Sequence, residues 1–282
     1  MADGMDIPQA AVAECDRIVR EADPDRAVSL GFAPREKQPG LLALYAFDIE
    51  AGRVRDHVSQ PLPGEIRLQW WRDRIAAAAS GEAVGHPVAD ALLATIRAHA
   101  LPVDALDRYV EARIFDLYDD PMPDRAAFEA YAGETQSAIL MMAAMVLDRE
   151  AAPGAAEAAG HGGVALAAVQ AIRRLPMARR RGPIVFPGDL LAAAGCSAEA
   201  LQGGDAQAGR RAVLAMADFA EEHWRAFEAA PKPPSLRSAL LPVSLAPSLL
   251  RKVRADPAAC LERPVEVGAL TRLARYWRAM RG

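Results

Sequence analysis

Strand-forming residues are scarce in this sequence. Alanine and leucine dominate, and aromatic side chains make up only 6% of the 282 residues, so the β-branched and aromatic groups that pack well on a pleated sheet are thin on the ground. A sheet-built domain is excluded and an all-α fold is expected. Cysteine is equally sparse. Cys15, Cys196 and Cys260 are odd in number, far apart and without a C-x-x-C spacing, which argues against a disulfide framework or a zinc site and fits a reducing compartment. The longest apolar run, residues 138–147, is about half of the ~20 residues that span a bilayer. The first residues lack the charged-then-apolar order of a signal peptide. The expectation is a cytoplasmic chain, soluble or held peripherally at the inner face of a membrane. Excess positive charge is missing too: the net charge is −4, with none of the global basic field that recommends nucleic acid. The five histidines form no H-E-x-x-H and no pair with a cysteine or serine nucleophile. No G-x-S-x-G or dinucleotide-binding glycine pattern occurs, and the Gly-rich stretch 203–209 lacks Gly-Lys-Ser/Thr, so hydrolase and dehydrogenase readings are dropped.

What is present is a succession of helical patterns. Residues 11–22 read as a first helix stopped by Asp23-Pro24, because the residue before a proline is driven out of the helical region. Further helices are expected over 38–58, 65–80, 88–100 and 103–118, with Trp70 and Trp71 both in the core and His86-Pro87 at a helix start. Asp116, Asp119 and Asp120 resemble a metal motif, but Pro121 and Pro123 end the helix there, which favours solvated acids. A helix over 124–148, a small-residue connection over 154–163 and helices over 162–175, 188–202, 210–229, 236–254 and 267–281 complete the chain. It reads as one domain of 282 residues, with 1–22 as an N-terminal segment and the Pro-rich 231–235 as a stiff link before the last helices.

The most informative stretch is 41–75. Leu41, Leu42, Leu44, Tyr45 and Phe47 make its first half apolar on nearly every side, as in a helix enclosed by others. Asp48, Gly52 and Asp56 then fall on one helical stripe, and Glu50, Arg53 and Asp56 on an adjoining one. From Tyr45-Ala46-Phe47 onward this resembles the squalene/phytoene synthase family, all-helical enzymes that join two prenyl diphosphates head to head. The resemblance implies an isoprenoid synthase-like bundle around a central cavity. It also implies two facing aspartate pairs that hold magnesium. In this sequence the first motif becomes Gly52, Arg53 and Asp56, with a single carboxylate left. The second, aligned through Gly182 and Val185-Phe186-Pro187, falls on Arg174 and Ala178, with Gln170 near the family's asparagine and Pro176 disturbing the helix between them. One carboxylate is a poor clamp for an octahedral ion, so no metal site and no cofactor are expected.

Arginine stands where the family has acid. Arg173, Arg174, Arg179, Arg180 and Arg181 form a basic cluster, and guanidinium forks bind phosphate or carboxylate without a metal. Together with Tyr45, Arg53, Gln136 and Gln170 they are the candidates for holding an anion or ligand. The last helix carries Arg272, Arg275, Arg278 and Arg281 among Leu270, Leu273, Tyr276, Trp277 and Met280, a pattern suited to peripheral contact with anionic lipid.

In detail the chain resembles the divergent branch of the family that contains a mitochondrial complex I assembly factor and its bacterial relatives, through Arg67-Leu68-Gln69-Trp70-Trp71, His86-Pro87-Val88 and Glu134-Thr135-Gln136-Ser137. That implies a binding or assembly protein that has lost prenyl transfer. Its partners would be complex I subunits or assembly intermediates, with a prenyl lipid or phospholipid as ligand. The alternative is an active transferase for farnesyl or geranylgeranyl diphosphate, with magnesium as cofactor and Asp48, Glu50 and Asp56 as its remaining carboxylates. A third reading is a helical domain whose cavity holds nothing.

Overall fold

Several helices start where a side chain supplies a cap. The computed structural model describes residues 7–281, the Arg181 side chain excepted. Its first helices are α1 (Gln9–Ala22), α2 (Pro24–Leu30), α3 (Gln38–Gly52), α4 (Pro61–Ala76), α5 (Pro87–His99) and α6 (Val103–Ala112). They are followed by α7 (Arg125–Ala132), α8 (Ala138–Leu147), α9 (Ala156–Arg181), α10 (Gly188–Ala193) and α11 (Ala198–Gln202). The last are α12 (Ala206–Ala229), α13 (Arg237–Leu240), α14 (Ala246–Ala255) and α15 (Ala269–Arg281). Among the described residues every regular element is helical. Asp23, Asp124, Ser197 and Asp205 accept a backbone N–H from the first turn of α2, α7, α11 and α12, satisfying donors that no helical carbonyl can reach. His86 does the same for α5 through Nδ1, as its place before Pro87 suggests.

The described residues divide into two compact units. The first runs up to Tyr118 and adds Ala138–Ala156 and Lys232–Leu240. Its centre is α3, which packs on α1, α5 and α8. Leu41 to Phe47 are all buried, as an all-round apolar sequence demands. From Gln9 onward α1 belongs to this core, with Cys15 and Val19 fully buried in it. The second unit comprises Asp119–Ser137, Glu157–Pro231 and the chain from Leu241 onward. In it α12 packs on α10, α11 and α14.

Several expected boundaries shift. The pattern over 38–58 stops as an α-helix at Gly52 and continues as a 3-10 turn, Val54–His57. Residues 103–118 likewise divide into α6 and a 3-10 turn, Arg113–Leu117. Between α7 and α8 the turn Gly133–Ser137 is a π-helix. Trp71 is buried, but Trp70 is only half-buried.

The largest correction concerns α9. Of the small residues expected as a connection, 156–163 lie inside it, and it runs through Pro176 to Arg181. Proline here loses one hydrogen bond and adds a clash, about 3 kcal/mol, which the buried side chains of Ile172, Leu175 and Pro176 itself offset. Glycine marks close packing rather than a loop. A Cβ on Gly162 would meet Phe227 and Val243 at 3.0 and 3.1 Å, and one on Gly163 would overlap Ser137, whose Cα lies 2.5 Å from its place. The Ser137 hydroxyl donates to the Gly160 carbonyl at 2.9 Å across this contact. Gly163→Ala is therefore expected to destabilise the protein by about 2–3 kcal/mol through overpacking, read as a lowered midpoint in urea denaturation.

Candidate functional site

The stripe of α3 that begins at Asp48 is occupied by arginine. Arg26 on α2 pairs with Asp48 Oδ2 from below, and its guanidinium carbon sits 4.9 Å from the ring centre of Tyr45. From the other side Arg113 Nη2 reaches Asp48 Oδ1 at 3.0 Å, Nη1 reaches Asp116 at 3.2 Å, and Nε donates to the Tyr109 hydroxyl at 3.1 Å. The Tyr109 hydroxyl in turn donates to Asp48 Oδ1. Burial alone would push the Asp48 carboxyl up; Arg26 and Arg113 outweigh it and hold the group down at about 2.

The position of the first metal motif lies against this network. A Cβ on Gly52 would stand 3.5 Å from the Arg113 guanidinium, while Asp56 is exposed in the following turn. A divalent ion about 5 Å from a guanidinium is repelled by about 6 kcal/mol at an effective dielectric near 20. Asp48, offered by the sequence as a replacement ligand, is spent on its two arginines. Among the described residues no three His, Cys, Asp or Glu side chains are grouped to hold a metal ion. The residues present do not fit magnesium.

In the second unit the α9 candidates are dispersed. Gln170, Arg173 and Ala178 are half-buried, and Arg174 and Arg180 are exposed. Arg179 donates from Nε to the Leu201 carbonyl at 2.9 Å and from Nη1 to the Leu261 carbonyl at 2.7 Å, and also pairs with Glu262 at 3.2 Å. Its fork ties α11 and the 3-10 turn Ala259–Leu261 to α9. Gln136 is buried within the π-helical turn. The side chain of Arg181 lies outside the described residues. Asp119 and Asp120 are exposed.

A sequence model of squalene/phytoene synthases matches residues 19–271. The chain belongs to the squalene/phytoene synthase family. Among solved structures it resembles a dehydrosqualene synthase, with a TM-score of 0.81 over 96% of this chain and 95% of that one at 16% identity, a likeness of fold. Among curated proteins it is 30% identical over 198 residues to "NADH dehydrogenase (ubiquinone) complex I, assembly factor 6" of Rattus norvegicus, covering 70% of this chain and 59% of that one. The Homo sapiens protein of the same name is 28% identical over 185 residues, 66% of this chain and 55% of its own. The chain thus spans less than two thirds of the length of these relatives.

This family member has two features that sequence reading missed. Beside α3, a cleft of about 680 Å³ is bounded by α1, α3, α4 and the start of α5. Ile49, Glu50 and Arg53 line it from α3 and the residue after it, and Ile66, Arg67 and Trp70 line it from α4. The Trp70 ring lies 5.0 Å from Trp71 and 5.3 Å from His86. Because His86 Nδ1 accepts the Ala89 N–H, its neutral ring carries the proton on Nε2, which faces Glu50 Oε2 at 3.7 Å. Burial first, and the charge of Glu14 second, push the Glu50 carboxyl up to about 7. Glu50 was readable as part of a stripe; its cleft was not, because three other helices build it. In the second unit His161 and His223, 62 residues apart, meet Nδ1 to Nδ1 at 3.1 Å, with Glu129 3.4 Å from His223 Nε2. No local pattern announces that pair.

Replacing Asp48 with Asn leaves two buried guanidiniums short of a counter-charge and is expected to cost about 3–5 kcal/mol near neutral pH. A carboxyl held at about 2 lends its full share of stability above its unfolded value of about 4 and loses it as the pH falls towards 2. The gap between wild type and Asp48→Asn should therefore narrow across that interval, measured by urea denaturation at a series of pH values.

Proposed function

We propose that this chain is a non-catalytic member of its family that supports the assembly of respiratory complex I. The observation that carries the reading is the guanidinium of Arg113 beside Gly52, where the family resemblance places a magnesium-binding carboxylate. Prenyl transfer in the family depends on a cation neutralising the departing diphosphate. Here Arg113 is already engaged with Asp48, Tyr109 and Asp116. The relatives of matching sequence bear the name of an assembly factor, which supports holding rather than joining as the retained activity. The partners are then complex I subunits or their assembly intermediates.

The reading places the protein against a membrane through α15. Among the described residues no helix is long and apolar enough to cross one. Yet α15 exposes Leu270, Leu273 and Trp277, at 86%, 51% and 53% of their surface, on one helical stripe. It carries no acidic residue. Arg281 stacks on Trp277 with its guanidinium carbon 3.3 Å from the ring centre, and Arg278 occupies the same last turn. Apolar side chains flanked by guanidiniums suit an anionic lipid surface.

Purified protein incubated with farnesyl or geranylgeranyl diphosphate and magnesium is expected to release no diphosphate above a heat-denatured control, and tagged protein recovered from its own cells is expected to bring complex I subunits with it. Diphosphate release abolished by Asp56→Ala would restore the transferase reading. In a vesicle flotation assay the protein should float with anionic phospholipid and not with phosphatidylcholine alone. Leu270→Glu/Trp277→Glu should remove that binding by about tenfold or more; equal flotation of wild type and variant would reject the role of α15.

A further inference from the structure

The cleft beside Trp70 is independent of the assembly reading and has its own chemistry. Its volume, about 680 Å³, falls within the range that encloses an organic small molecule. One wall is apolar: Ile18 of α1 and Ile49 of α3 face the half-buried ring of Trp70, and the edge contacts with Trp71 and His86 fix that ring in place. A flat body laid on Trp70 gains both buried area and ring contact.

The cleft is lined by three arginines and three glutamates, and they do not pair evenly. On α1, Arg17 bridges Glu14 and Glu21 at 2.5 and 2.7 Å, so its guanidinium is engaged. Among the described residues no side-chain hydrogen bond or ion pair engages the guanidinium of Arg53 or Arg67, and both line the cleft from opposite elements with their side chains exposed. Glu50 is the acid nearest to Trp70's neighbour His86, and with its carboxyl raised to about 7 it is largely protonated below that pH and offers the arginines little counter-charge. What remains is a pair of guanidiniums beside an aromatic wall.

We propose that this cleft binds a small organic anion, its flat apolar body against Trp70 and its carboxylate, phosphate or sulfonate group held by Arg53 and Arg67. The face of α3 involved carries Ile49, Glu50 and Arg53. Glu50 stands about 160° around the helix from both Asp48 and Gly52, given 3.6 residues per turn. The cleft takes Arg53 from the first motif but neither Gly52 nor Asp56, and it needs no metal: guanidinium forks take an anion directly.

The test is a calorimetric titration of the full chain with 1-naphthalenesulfonate, compared with 1-naphthol, which lacks the anion, and with sulfate, which lacks the ring. The sulfonate is expected to bind about tenfold or more tightly than either, the worth of one charge-assisted contact. Arg53→Gln/Arg67→Gln should bring the sulfonate down to the level of naphthol while leaving naphthol unchanged, which also shows that the variant has kept its fold. Trp70→Leu should weaken both naphthyl probes, and Trp277→Ala on α15 should alter neither. Equal binding of sulfonate and naphthol, an unaltered sulfonate affinity in the double arginine variant, tighter binding of 1-naphthylmethylammonium, or no binding of the sulfonate at millimolar concentration would each overturn the proposal.

Discussion

A single buried carboxylate organises the first unit. Asp48 receives Arg26 from α2, Arg113 from the turn after α6 and the hydroxyl of Tyr109 from α6 itself. Burying ions is costly unless every one is paired and bonded, and here Asp23 lies 3.7 Å from Arg26 and Asp116 3.2 Å from Arg113, so both guanidiniums also lean on acids nearer the surface. The network joins three helices that apolar packing alone would leave free to slide. It also decides the chemistry, since the carboxylate that could have met a metal ion is the one that holds the arginines.

The apolar framework was open to reading because its causes are local. A helix without a polar face must be enclosed, and α3 is. His86-Pro87 announces a helix start because a side-chain acceptor and a proline act within one turn, and His86 serves as the cap; Asp23-Pro24 reads as a helix stop, and in the structure Asp23 also caps the next helix. Misreadings arose where a residue's effect depends on what lies across from it. Gly162 and Gly163 look like a flexible connection in sequence, yet they are small because Phe227, Val243 and Ser137 press on α9 there. Pro176 looks like a break, yet the buried side of the helix carries the chain through it. Trp70 and Trp71 are alike in pattern and differ in burial, because only one of them faces the core.

Arginine illustrates the same limit at the site. In sequence, residues 173–181 look like one anion-binding cluster. In the fold, Arg179 spends its donors on the carbonyls of Leu201 and Leu261, acceptors that follow it by 22 and 82 residues and have no local signal. Arg53, a ligand candidate from sequence, shares a cleft and an aromatic wall not with the arginines of 173–181 but with Arg67, which no pattern singles out. Charge density along a chain is thus a poor guide to charge available to a ligand, because backbone carbonyls compete for guanidiniums as effectively as carboxylates do.

The substitution of arginine for metal-binding acid has a physical logic that does not require the fold to change. Carboxylates gathered on one side of a bundle repel one another and rise in pKa unless a cation stands among them. A divalent ion fills that role only while the full set of oxygens is present; once a ligand is lost, the acids that remain are a liability to the folded state. A guanidinium supplied by the chain removes the liability permanently, at no cost in ion concentration, and Arg113 beside Gly52 and Asp48 is such a fixed cation. With the charge balanced from within, the apolar packing of Tyr45 and Phe47 on the same helix needs no bound ion to persist. The helical scaffold then holds its shape without a metal ion, and its open surfaces set what it is able to hold.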